Sequence, residues 1–182
     1  LAREGLGVVR LKGGDPFLFG RGGEELAVLR EAGIEAYVAP GLTAALAAGA
    51  PLTHRGLAQA VTFVTGHAAQ GGEPDLDWAG LANPKQTLVV YMGVSTAGRI
   101  AERLMAAGRA AETPVLVVEN ASQESERRIG STLQGLSAAV AGLEGPALLI
   151  VGETAGLALS LDGALANACP RAENAASAKG SV

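Results

Sequence analysis

Val8-Val9-Arg10-Leu11-Lys12-Gly13-Gly14-Asp15-Pro16-Phe17 is the stretch on which the reading of the fold turns. Its apolar-rich start, Val8 to Leu11, predicts a buried strand, and Gly13-Gly14-Asp15-Pro16 stops it. A strand ending in a glycine-rich turn puts that turn at the carboxyl edge of a sheet, where open α/β folds hold ligands. Two glycines remove Cβ atoms, so backbone can approach a ligand or adopt positive φ. Asp15 offers a carboxylate that accepts hydrogen bonds from a diol or an amino group. The same residues also make an ordinary Gly-Asp-Pro turn, and spacing alone does not separate the two readings. The segment is no dinucleotide fingerprint, since Gly20-Arg21-Gly22-Gly23 lacks the G-x-G-x-x-G spacing.

Working outward, Glu24 to Ala32 predicts a helix with two acids in its first turn, where the helix dipole favours them, and a stop at Gly33. Ala36 to Val38 predicts a second short strand, closed by Pro40-Gly41. Thr43 then opens an Ala-rich helix that must end before Pro51. The free N–H groups at that helix start either receive a ligand or are capped by Thr43 itself. Leu52 to Gln59 has no period and reads as a linker. A fresh α/β series follows: strands at Val61–Val64, Thr87–Tyr91, Val115–Val118, Arg127–Thr132 and Ala147–Val151, and helices at Leu76–Leu81, Ser95–Ala107 and Leu133–Ala141. From Gly156 the composition turns to Ala, Gly, Ser and Asn, which predicts a mobile tail. The expected organisation is a first α/β domain over residues 1–55, a second over 56–155 and a disordered tail over 156–182.

Hydrophobic residues make up 48% of the 182 residues but aromatics only 3%, with 26 glycines. Small aliphatics and glycine suit helices lying close on a parallel sheet. A net charge of −4 disfavours nucleic acid as a main partner, yet a locally basic pocket for an acidic small molecule remains compatible with it. No apolar run reaches the roughly 18–20 residues that cross a bilayer, and no signal-peptide pattern opens the chain. The lone Cys169 cannot form an internal disulfide, and no Cys/His cluster has metal-ligand spacing. The default compartment is a reducing cytoplasm. The sequence opens without Met, with a strand arriving almost at once, and reads as truncated at its N-terminus.

Taken together, the blocks are familiar. Val9 through Glu25, Pro40-Gly41-Leu42-Thr43-Ala44-Ala45, Pro51-Leu52-Thr53-His54-Arg55, Val64-Thr65-Gly66-His67, Asp77-Trp78, Lys85 through Gly93, Glu119-Asn120-Ala121 and Pro146 through Gly152 stand in one order. This ordered set, over roughly residues 6–153, resembles the uroporphyrinogen-III C-methyltransferases of the tetrapyrrole methyltransferase family, whose domain is also half of the siroheme synthases. The resemblance implies a two-domain α/β enzyme, its first domain incomplete here, with S-adenosyl-L-methionine in the interdomain cleft. It implies two methyl transfers to carbons 2 and 7 of uroporphyrinogen III, giving precorrin-2 for siroheme and cobalamin, and a homodimer. Carried over by position, the donor site comprises Gly13, Gly14, Asp15 and Leu18, then Thr43 and Ala44, then Met92 and Ala121, with Ala147 beside the adenine. Arg21 and Arg55 are candidates for substrate carboxylates on their charge. The family's acid–base Asp and Lys would precede Leu1, so no catalytic residue is named, and an inactive fragment keeping part of the donor site is the alternative. The helix after Thr43 is also shorter than in the family by about four residues, close to one turn.

Overall fold

The computed structural model describes residues 1–68 and 72–168, with residues 161–168 described by backbone alone. Cys169 and the rest of the expected tail lie outside the described residues. Five strands form one sheet: β1 (Ala60–Thr65), β2 (Gln86–Tyr91), β3 (Pro114–Glu119), β4 (Arg127–Thr132) and β5 (Ala147–Val151). Their order across the sheet is β1-β2-β5-β3-β4. Only β1 and β2 run parallel; β2–β5, β5–β3 and β3–β4 are antiparallel. The parallel sheet expected from composition is therefore a mixed one. Buried central strands read as continuous apolar runs whatever their direction, so the pattern did not report it.

Both faces of the sheet are covered, and the strand period of two divides the core accordingly. Leu88, Val90, Val115, Val117, Leu149 and Val151 share one face with Ile100, Ala101 and Leu104 of α4 (Ala97–Ala106) and Leu136 of α5 (Leu136–Ala139). Val89, Leu116, Val118, Leu148 and Ile150 share the other. Ala45 of α2 (Ala44–Ala47) and Ala155 and Ala158 of α6 (Glu153–Ala168) cover that second face. The small residues on these helices let them lie close to the sheet. Helices α1 (Gly22–Glu31) and α3 (Trp78–Leu81) complete the set. Asp77 caps α3 by accepting from Gly80 N–H at 3.0 Å.

Three further expectations are corrected. Val8 to Leu11 forms no strand, and Val9 and Leu11 are 81% and 82% exposed. Ala36 to Val38 forms none either, and Tyr37 is 90% exposed. A strand is a property of a pair, and neither segment has a neighbour to pair with among the described residues. Helix α6 runs through Gly156 to Ala168, where a tail without regular structure was expected. Its Ala/Gly/Leu-rich sequence hides the helical period that a polar face would reveal.

Candidate active site

The first-half loops are joined by a carboxylate. Asp15 Oδ1 accepts from Phe17 N–H at 2.8 Å, and Oδ2 accepts from Gly41 N–H at 3.2 Å. These two donors favour the charged form, the Phe17 bond most, and hold the Asp15 carboxyl below its usual range. The loops meet so closely that a methyl group at residue 41 would run into the Gly14 carbonyl oxygen. Gly14 itself sits at φ +73°, where L side chains are strained. Asp15 is thus first a brace between Gly13-Gly14-Asp15 and Pro40-Gly41. Each of its oxygens keeps further acceptor capacity for a ligand.

Tyr91, at the end of β2, fastens this pair of loops to the sheet. Its hydroxyl bonds Thr43 Oγ1 at 2.6 Å and accepts from Ala45 N–H at 3.1 Å. Its ring lies 5.0 Å from that of Phe19 and 6.2 Å from that of Phe63. Thr43 was expected to cap α2 or to leave its N–H groups to a ligand. It does not cap through its side chain. Its hydroxyl goes to Tyr91, which also takes the Ala45 donor, and the Ala44 N–H donates to no group among the described residues.

Ala44, Tyr91 and Ala121 pack against one apolar cluster, and Met92 follows Tyr91 directly, 53% exposed. The structure therefore brings Gly14, Asp15, Thr43 and Ala44 together beside Tyr91, with Met92 next to it in the chain, and sets Ala121 against the same apolar cluster. Gly13 borders the open side, with nothing near its missing Cβ. Leu18 is half-buried beside Phe19, whose ring meets that of Tyr91 at a tilt of 48°. Backbone conformation marks the same place. Among the described residues the non-glycines in left-handed backbone are Phe19, Arg21, Met92, Asn120 and Ser122, with φ between +51° and +67°. Phe19 follows Leu18 directly, Met92 is itself one of them, and Asn120 and Ser122 bracket Ala121. Such conformations persist where surrounding structure imposes them, and they cluster at functional sites.

Other candidates lie elsewhere. Arg21 turns onto Glu24, its Nε donating at 3.0 Å, and lines a cavity of about 470 Å³ with Arg10, Lys12, Phe19, Gly20, Glu24 and Glu25. Arg55 is exposed on the loop before β1. Ala147 opens β5, paired with Glu119 of β3. Glu119, almost fully buried, accepts from the N–H groups of Gly145 at 2.8 Å and Glu144 at 2.9 Å, which hold its carboxyl below the usual range. Among the described residues no group of His, Cys, Asp and Glu could hold a metal ion, and no helix is long and apolar enough to cross a membrane.

A family model for Tetrapyrrole (Corrin/Porphyrin) Methylases matches residues 1–137. The chain belongs to the tetrapyrrole methylases. Within that family it is 56% identical over 164 residues to a siroheme synthase of Chromobacterium violaceum, covering 87% of this chain and 35% of the relative. It is 51% identical over 160 residues to a siroheme synthase of Zymomonas mobilis, covering 86% and 34%. The chain thus spans about a third of the curated relatives it matches. Among solved structures, a uroporphyrin-III C-methyltransferase from Thermus thermophilus in complex with S-adenosyl homocysteine superposes with a TM-score of 0.77 at 45% identity, covering 86% of this chain and 70% of that one. A cobalt precorrin-4 methyltransferase matches with a TM-score of 0.74 at 28% identity, covering 84% and 66%. The two-domain tetrapyrrole methyltransferase fold expected from the sequence is present, and present in part.

Tyr91 is the site residue that sequence reading missed as such. It falls within the block Lys85 through Gly93, but the groups its hydroxyl ties lie more than forty positions earlier. Its only sequence signal is an aromatic ending a strand just before a turn residue, in a chain with two tyrosines.

Proposed function

We propose that this chain is the donor-holding portion of an S-adenosyl-L-methionine-dependent uroporphyrinogen-III C-methyltransferase, which methylates carbons 2 and 7 to give precorrin-2. The observation that carries the proposal is the joining of the Gly13 to Leu18 loop to the Gly41 to Ala44 loop through Asp15 and their fastening to Tyr91 beside Met92, with Ala121 on the same apolar cluster. The likeness to the Thermus methyltransferase complexed with S-adenosyl homocysteine supports the same donor. Residues 1–55 and 56–155 are read as the two lobes bordering the cleft, and the full-length protein as a homodimer.

The residues present fit such a donor. The backbone at Gly13 is open to close approach, the Ala44 N–H donates to no group among the described residues, and Met92 is exposed. When bound, the donor supplies a methyl group already activated on a sulfonium. Gly13, Gly14, Asp15, Leu18, Thr43, Ala44, Met92 and Ala121 would then hold and orient it. Most of the rate gain such a site can give comes from aligning the methyl with the acceptor carbon. A neutral pyrrole that gains a methyl at a substituted ring carbon becomes cationic and must lose a proton from another position of the macrocycle, which a base assists, and no residue of this chain is assigned that step. The test is transfer of radiolabelled methyl from S-adenosyl-L-methionine to uroporphyrinogen III by the full-length protein. Two labels per tetrapyrrole support the proposal; transfer to other tetrapyrroles only, or none, refutes it.

A further inference from the structure

Helix α2 is a single turn of four residues, too short to hold itself in water. Its start hangs on Tyr91. Its end is held from a different direction, and that hold leads back to the turn carrying Ala121. The helix closes at Gly49, φ +63°, which leaves carbonyls at its C-terminus in need of donors. Ser122 Oγ donates to Ala47 O at 3.3 Å, and Arg128 Nη1 donates to Ala48 O. A cation at a helix C-terminus is also favoured by the helix dipole. Arg128 pairs with Glu126 at 3.5 Å, and Glu126 Oε2 accepts from Ser122 N–H at 2.7 Å. Both side chains are mostly shielded, and Ser122 is one of the left-handed residues that this bond pins. The result is a closed circuit from the Asn120–Ser122 turn through Glu126 and Arg128 to α2, and back through the Ser122 hydroxyl.

We infer that Glu126 and Arg128 are positioning residues that fix the span between Ala44 and Ala121, and so the width of the donor cleft. The inference rests on the donor-site reading above. Neither side chain is assigned a contact with donor or substrate; both act through the backbone they hold. Nη1 of Arg128 serves both Ala48 O and Glu126, and the rigid guanidinium plane fixes where that nitrogen lies, which the flexible stem and ammonium of Lys do less well.

Titration of S-adenosyl-L-homocysteine into the 182-residue chain tests this with Arg128→Ala, Arg128→Lys and Glu126→Gln. The expected result is a Kd raised about tenfold in Arg128→Ala, as for coupled sites, and raised less in Arg128→Lys and Glu126→Gln. The stoichiometry of the folded protein should stay that of the wild type. A purely structural role would instead lower the melting temperature or the fraction that binds, and leave Kd of the folded fraction unchanged; that outcome overturns the inference. Should Arg128→Ala fail to fold, the other two variants decide it: equal affinity to wild type in both overturns it. A folded wild-type chain that does not bind removes the donor-site reading and this inference with it. Wild-type binding with unaffected variants removes this inference alone.

Discussion

Tyr91→Phe removes one oxygen and leaves the rest of the hub in place. The ring contacts with Phe19 and Phe63 survive. Two bonds are lost, to Thr43 Oγ1 and from Ala45 N–H. Thr43 is 8% exposed and Ala45 fully buried, so water replaces the lost partner poorly. A buried polar group left unpaired costs about 1–3 kcal/mol, and two of them in one spot cost about 3 kcal/mol once local relaxation is allowed. For a chain of this size that lowers the melting temperature by roughly 6–12 °C. The Thr43-Ala44 backbone also loses its anchor, so affinity for S-adenosyl-L-homocysteine should fall by about tenfold, equivalent to about 1.4 kcal/mol. Thermal unfolding and calorimetric titration of the purified variant read both effects. Tyr91→Phe with wild-type melting temperature and wild-type affinity would refute the reasoning, because the hydroxyl would then be holding nothing.

Three other outcomes follow from the same geometry. Asp15 has a depressed folded-state pKa, so its charge stabilises the loop pair above the ordinary carboxylate range, and this is lost as pH falls through the depressed value. Asp15→Asn should therefore be less stable than wild type to urea at neutral pH and equal to it in strong acid; a gap that persists in acid contradicts the assignment. Leu104→Ala, in the fully buried face of α4, should cost about 2–5 kcal/mol in urea unfolding, and a loss well under 1 kcal/mol would mean the face is not packed as described. Hydrogen exchange should find the amides of residues 7–12 and 35–39 poorly protected and those of β2, β3 and β5 strongly protected, since only the latter lie in a ladder; equal protection would contradict the extended, unpaired state of the first-half segments.

How much of this was legible depends on where the determinant lies. Residues 87–91, 115–118 and 147–151 announced themselves because a buried strand carries its signal in its own composition. Strand direction did not, because β5 inserts between β2 and β3 and reverses the pairing without changing the apolar runs. Val8 to Leu11 looked like a strand by composition, and was not one for want of a partner, which no local pattern records. Gly14, Asp15 and Thr43 could be singled out from their motifs, but not their mutual arrangement. That Asp15 reaches Gly41, or that Tyr91 reaches Thr43, depends on contacts across 26 and 48 positions. The Glu126–Arg128 circuit is of the same kind: two charges in a strand approach that become meaningful only once α2 is placed beside them.

The most direct measurement is calorimetric titration of S-adenosyl-L-homocysteine into the 182-residue chain, alongside Gly41→Ala. A side chain at residue 41 meets the Gly14 carbonyl and forces the two loops apart. Saturable one-site binding by the wild type, lost or greatly weakened in a Gly41→Ala chain that still folds, is the predicted result. Binding unaffected by Gly41→Ala, or no binding by the folded wild type, would contradict a donor site built from these loops.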